Sequence, residues 1–290
     1  MTTRLVARVR AFAKINRSLE ILGVRPDGFH ELRTVFQSIA LHDTLTFRAD
    51  RGPFRLTCDT PECPTDGTNL IWRAAEQVWM AAGRRGGPRD LSIHLAKRIP
   101  MQAGLGGGSS DCAAALRALG RLWRVDSDRI RAIGSSLGAD VPYFFEGGTV
   151  LGLERGDLLF PLVDAPRAWV VLAIPSIGVS TKDAFAWWDR DGARPFQRRV
   201  RGPKRPALQA INDLQPVVAK RHPEIARLVH ALARAGAGQA AMTGAGSAVF
   251  GLFSNHADAQ QAFVRVSGRG RRALVTRTVD RAACQALAAM

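Results

Sequence analysis

Lysine and tyrosine are almost missing from this 290-residue chain. Five lysines, at 14, 97, 182, 204 and 220, leave 36 of the 41 basic residues as arginine, and there is a single tyrosine. The net charge of +16 would suit a nucleic acid or another polyanion. The arginines, however, are scattered along the chain, and the one dense stretch, residues 194–206, holds three prolines, one aromatic and no acid. Such a stretch is a linker or surface loop, not a groove-reading helix, so nucleic acid is not expected as a partner. The four cysteines form no Cys-x-x-Cys pair and no paired histidines accompany them, which excludes a zinc site and fits reduced cytoplasmic thiols. Runs of eighteen or more apolar residues are absent, which excludes a membrane-spanning helix. The first ten residues lack the apolar stretch and small-residue cleavage site of a signal peptide, so a cytoplasmic location is expected. Because lysine is so scarce, Lys14 and Lys97, each beside a motif, stand out.

Glycine is not scarce. Pro100, Met101, Gln102, Ala103, Gly104, Leu105, Gly106, Gly107, Gly108, Ser109 and Ser110 lead straight into Asp111-Cys-Ala-Ala-Ala-Leu116. Glycines and serines just ahead of a helix-forming run expose backbone N–H groups where the positive end of the helix dipole lies, and glycine lets an anion approach without a Cβ in the way. The Gly-Lys-Ser/Thr ending of a Walker A loop is missing, and the spacing is not that of a dinucleotide-binding turn. Ala113, Leu116, Gly120 and Trp123 share one face of the following helix. The segment therefore reads as a nucleotide-phosphate loop.

At 290 residues and 46% apolar content the chain suffices for two cores, and the boundary is placed at residue 157, giving units 1–157 and 158–290. Strands are expected at 6–12, 43–48, 91–95, 169–174, 240–242, 247–253 and 272–278. Helices are expected at 70–82 after Asn69, at 110–123, 126–137, 216–220, 224–234 and 257–266. That order packs as mixed antiparallel sheet with helices on one face.

Polar residues gather in four more segments. Ala13-Lys14-Ile15-Asn16 ends the first strand, and Arg25-Pro-Asp-Gly-Phe29-His30-Glu-Leu32 is a turn followed by an aromatic-imidazole pair. Gly138-Ala-Asp140-Val-Pro142 puts an acid directly after a helix, and Thr243-Gly-Ala-Gly246 is a tight turn between two strands. With the glycine loop and Ile211-Asn-Asp-Leu214, their order and spacing resemble the GHMP small-molecule kinases over about residues 9–253. The resemblance implies an α+β fold of two domains, an N-terminal mixed sheet with helices and a C-terminal ferredoxin-like α/β sandwich. It implies ATP-dependent phosphorylation of a small molecule, with Mg²⁺ neutralising the ATP phosphates, in a monomer or weak homodimer with no dedicated metal site in the protein.

Within that family the chain is most similar to the branch whose acceptor is a cytidine-diphosphate-linked branched sugar alcohol, phosphorylated at its 2-hydroxyl in the non-mevalonate route to isoprenoids. By that resemblance Asp140 is the base against the acceptor hydroxyl, and Lys14 steadies the charge that develops there. Asn69 and Lys97 join the glycine loop on the nucleotide side. Phe29 and Phe185 are placed to sandwich a cytosine, His30 to bond its edge, and Asn16 and Thr181 to make polar contacts. The family more often has tyrosine at the position of Phe29, and an apolar residue at that of Arg17. Relatives acting on mevalonate, homoserine or a sugar are the alternative, but an acceptor without a base has no use for an aromatic-imidazole pair.

Overall fold

The computed structural model describes residues 4–191 and 211–288. The basic segment 194–206 lies outside the described residues. The chain opens with a long antiparallel hairpin, β1 (Arg4–Val24) and β2 (His30–Pro53). The expected first strand is therefore too short at both ends. Lys14 and Asn16 do not end it, because register shifts at Phe12/Ala13 and Asn16/Ser18 bend the pair and let it run on past the polar residues. β3 (Arg55–Cys58) follows, then α1 (Leu70–Ala81), which Asn69 caps by accepting from the Ile71 amide. β4 (Arg89–Ala96) leads to α2 (Gly107–Trp123), α3 (Ser127–Leu137) and the short α4 (Tyr143–Glu146). β5 (Thr149–Glu154) and β6 (Leu158–Pro161) complete a six-stranded sheet in which β2 is central, pairing with β1 on one edge and with β4 and β5 on the other. The turn at Gly156 folds β6 back onto β5, so this sheet runs on to Pro161, past residue 157.

The apolar faces of α1 and α2 cover this sheet. Ile71, Val78, Leu116 and Leu119 are fully buried against Phe47, Ile93 and Leu95, each contributing about 1.5–3 kcal/mol by leaving water. Trp79 and Trp123 meet edge to face, with ring centroids 5.2 Å apart.

The second half is β7 (Trp169–Pro175), α5 (Thr181–Asp191), α6 (Gln215–Arg221), α7 (Pro223–Arg234), β8 (Gln239–Met242), β9 (Val249–Phe253), α8 (His256–Val266), β10 (Arg271–Arg277) and α9 (Arg281–Ala288). Its four strands, all antiparallel, lie in the order β10-β7-β9-β8, the ferredoxin-like arrangement. One face of this sheet packs on α7 and α8 through Val171, Leu228, Leu232 and Ala262. The other face sets Leu172, Ala241 and Phe250 against Ile15, Ile39, Ala103 and Leu105. This second packing decides the site, because it presses the glycine loop between the two sheets. No helix among the described residues is long and apolar enough to cross a membrane.

Candidate active site

Backbone contacts pin the glycine loop on both sides. The Lys14 amide donates to the Leu105 carbonyl at 3.0 Å, and the Ala248 amide to that of Ala103 at 3.2 Å. Gly104 and Gly106 have φ of +73° and +71°, and neither has room for a side chain. A Cβ at Gly104 would strike the Thr243 carbonyl, and one at Gly106 would lie 2.8 Å from Phe144 and 3.1 Å from the Lys14 stem. Gly106 is the N-cap of α2 and offers no side-chain acceptor, so the first N–H groups of the helix remain free for an anion. Gly108 has open space where its Cβ would be.

Lys14 and Asp140 meet beside this loop, with Nζ and Oδ2 3.5 Å apart; the lysine side chain is 4% exposed and the aspartate 35%. The Lys14 ammonium donates to Asn16 Oδ1 at 2.6 Å, and the Asn16 amide donates to Thr34 Oγ1 at 2.7 Å. The Asn16 backbone N–H donates to Thr243 Oγ1 at 2.9 Å. Thr243 belongs to the tight turn before β9, and Asn212 holds that turn by donating to the carbonyls of Met242 and Gly244. Asn16 thus secures the lysine, and it also lines the cavity in which the sequence reading gave it a polar contact to substrate.

A second ion cluster lies beneath the loop. Lys97 Nζ is 2.5 Å from Asp43 Oδ2 and 2.9 Å from Asp111 Oδ2, and all three side chains are buried. Asp43 also accepts from the backbone amides of Arg98 and Ile99. Burial works against the Lys97 ammonium, but Asp111 and Asp43 outweigh it and hold Lys97 above its ordinary value. One ammonium cannot neutralise two carboxylates in a dry site. Burial, with repulsion from Asp43, pushes Asp111 up to about 8 against the pull of Lys97, and its Oδ1 has no partner. Asn69, at the edge of this region, caps α1 and donates to the Pro64 carbonyl at 2.6 Å.

The far end of the site is aromatic. His30 stacks on Phe185 with centroids 4.5 Å apart and an interplanar angle of 27°, and Trp188 meets the imidazole edge-on at 5.5 Å. Phe29 is 55% exposed, with the Arg155 guanidinium over its ring at 5.3 Å. The expected sandwich of Phe29 and Phe185 around a ring is therefore not preformed, since His30 itself covers Phe185. Arg17 bonds Gln239 and does not line the site, and burial lowers its pKa.

One cavity of about 1130 Å³ joins these parts. Lys14, Asn16, Phe29, His30, Asn69, Lys97, Asp140, Thr181, Phe185 and the loop residues from Pro100 to Ser109 all line it. Ser110 does not; it is buried, and its hydroxyl donates to the Phe12 carbonyl at 2.6 Å. Sequence reasoning missed Asp43, Thr34, Thr243 and Asp189 as site residues. Thr243 lay inside a quoted motif and Asp189 one helical turn beyond Phe185, but Asp43 has no local signal.

Two sequence profiles match the chain, that of the GHMP kinases N terminal domain over residues 69–148 and that of the GHMP kinases C terminal region over residues 197–272. A 4-diphosphocytidyl-2-C-methyl-D-erythritol kinase of Solibacter usitatus is 42% identical, over 87% of this chain and 83% of its own length. The enzyme of the same name from Pelotomaculum thermopropionicum is 40% identical, over 95% of this chain and 99% of its own. Among solved structures, a crystal structure of 4-(cytidine 5'-diphospho)-2C-methyl-D-erythritol kinase superposes with a TM-score of 0.76 at 32% identity, covering 94% of this chain and 99% of that one.

Proposed function

The chain belongs to the GHMP kinases and, within them, to the 4-diphosphocytidyl-2-C-methyl-D-erythritol kinases, and on that premise we propose that it transfers a phosphoryl group from ATP to the 2-hydroxyl of 4-diphosphocytidyl-2-C-methyl-D-erythritol, in the non-mevalonate route to isoprenoid precursors. The observation that carries this reading is the single cavity that has an anion-binding helix start and a lysine-aspartate pair at one end and an imidazole-aromatic group at the other. We take the division into a nucleotide-binding unit and a ferredoxin-like unit to lie between β6 and β7, the last strand of one sheet and the first of the other, a reading that the strand orders support.

Phosphoryl transfer asks the protein for alignment and charge stabilisation more than for covalent chemistry. The free N–H groups at the start of α2 hold the phosphates of ATP. Asp140 accepts the hydrogen bond of the acceptor hydroxyl, points the hydroxyl oxygen at the γ-phosphorus and takes the proton as the new O–P bond forms and the bond to the β-phosphate oxygen breaks, releasing ADP. Lys14, fixed by Asn16, balances the negative charge that gathers between donor and acceptor. Among the described residues no cluster of three or more metal-ligating side chains occurs. A carboxylate and a hydroxyl facing the cavity, Asp140 and Ser109, nevertheless fit a hard cation that arrives on the phosphates and keeps most of its water. Mg²⁺ held there would neutralise phosphate charge.

A coupled assay for ADP release against a panel of acceptors tests the substrate. Base stacking and one or two buried hydrogen bonds amount to about 3–5 kcal/mol, or roughly two to four orders of magnitude in kcat/KM. Free 2-C-methylerythritol and its phosphate are therefore expected to be almost inert beside the cytidylyl compound. Efficient turnover of mevalonate, homoserine or a free sugar would overturn the substrate and leave the kinase standing.

A further inference from the structure

Helix α5 carries Thr181, Phe185 and Asp189 at steps of four, which sets them in one row along the helix. All three line the cavity. Opposite this row stands His30, the first residue of β2, and its ring is held from three directions. Phe185 covers one face and Trp188 meets the ring edge-on. Asp189 Oδ1 lies 2.7 Å from Nε2.

From this contact we infer that Asp189 is a positioning residue for base selection, fixing the His30 tautomer so that Nδ1 faces the acceptor's base as a hydrogen-bond acceptor. The inference rests on the reading of the acceptor as a cytidylyl compound. A carboxylate can only accept, so the proton of the neutral imidazole sits on Nε2 and the lone pair is left on Nδ1. That nitrogen has no partner among the described residues. Cytosine and uracil differ at their exocyclic position, where one carries an amine that donates and the other an oxygen that accepts. A lone pair on Nδ1 pairs with the amine and repels the oxygen, so the distinction is made by rejection as well as by attraction. Without Asp189 the imidazole is free to move its proton to Nδ1, and the distinction fades.

The test compares kcat/KM for the cytidylyl acceptor and its uridylyl counterpart in wild type, Asp189→Ala and Asp189→Asn. Asp189 is 49% exposed at its side chain, so its truncation opens no cavity. Asp189→Ala is expected to raise KM for the cytidylyl acceptor and to narrow the preference for cytosine by about ten- to hundredfold, the scale of one buried hydrogen bond to a polar partner. KM for ATP should not move. Asp189→Asn, whose Oδ1 can still accept from Nε2–H, is expected to restore most of the preference. If Asp189→Ala keeps the wild-type preference, or weakens both acceptors equally, the inference is overturned while the cytidylyl reading stands. If wild type itself does not prefer cytosine, the cytidylyl reading fails and takes the inference with it.

Discussion

At the phosphate end of the cavity Lys14 is 4% exposed and takes part in an unbroken run of hydrogen bonds through Asn16 to Thr34 and Thr243. At the base end Phe29 is 55% exposed and His30 lies flat on Phe185, where a ligand ring would otherwise stack. The first end is assembled before any ligand arrives, by a glycine loop held between β1 and the turn at Thr243, so the charges that act on the transferring group pay no reorganisation when the reaction begins. The second end is an arrangement of side chains on α5 and the hairpin tip that covers part of its own apolar surface. On the proposed roles, chemistry common to every phosphoryl acceptor lies where buried hydrogen bonds hold the chain, while the choice of acceptor is left to side chains of the hairpin tip and α5, of which Phe29 and Asp189 are exposed.

Removing charge at the phosphate end is the severest way to probe this contrast. Lys14→Met, which keeps the buried stem that packs beneath Gly106, and Asp140→Asn are each expected to lower kcat about a thousandfold or more, several kcal/mol of barrier, with thermal unfolding little changed. Either variant retaining near-normal kcat while folded would show that the pair is not the centre of the reaction.

How far the sequence reveals each end follows from the same difference. The glycine loop, Asn69 as a cap and the apolar faces of α1 and α2 are local patterns, written in consecutive residues, and they stand where the spacing puts them. Lys14 and Asp140 were legible only by resemblance, since nothing local brings residue 14 to residue 140; α2 does so by packing on β1 and on α3 and α4, which flank Asp140. The length of β1 was hidden because polar Lys14 and Asn16 interrupt its alternation, and their partners, Asp140, Thr34 and Thr243, are distant in the chain. β5 and β6 were obscured by the glycines around them. Asp43 is one of two aspartates in β2 with nothing in its neighbours to mark it, and its role exists only because the chain leaving β4 delivers Lys97, Arg98 and Ile99 to it.

The base end admits a milder probe. Phe185→Leu keeps an apolar side chain against the C-terminal core and removes the aromatic face. The expected result is a KM for the cytidylyl acceptor raised about tenfold, the scale of one aromatic stacking contact, with KM for ATP and kcat at saturation close to wild type. Calorimetric titration of each ligand separately checks it. A loss shared equally by ATP would mean that the two ends are not independent.

The smallest effect concerns the ion cluster beneath the loop, and it asks whether the phosphate end is as settled in charge as in geometry. Asp111 is buried beside Asp43 with one lysine between them, and its carboxyl is pushed up to about 8. In the unfolded chain it titrates near the ordinary aspartate value of about 4. Between those two values the folded protein holds a proton that the unfolded chain has lost, so the stability this proton provides is complete below pH 4, falls steadily from there, and is gone once pH has risen through 8. Asp111→Asn keeps the shape of the side chain and removes the titration. The variant is therefore expected to unfold at nearly the wild-type temperature near pH 4 and a few degrees above it near pH 9, where the wild type must bury two carboxylates on one ammonium. Scanning calorimetry at the two pH values gives the comparison directly. Unfolding temperatures that stay parallel would mean that Asp111 is ionised throughout, with Lys97 shared evenly between both aspartates.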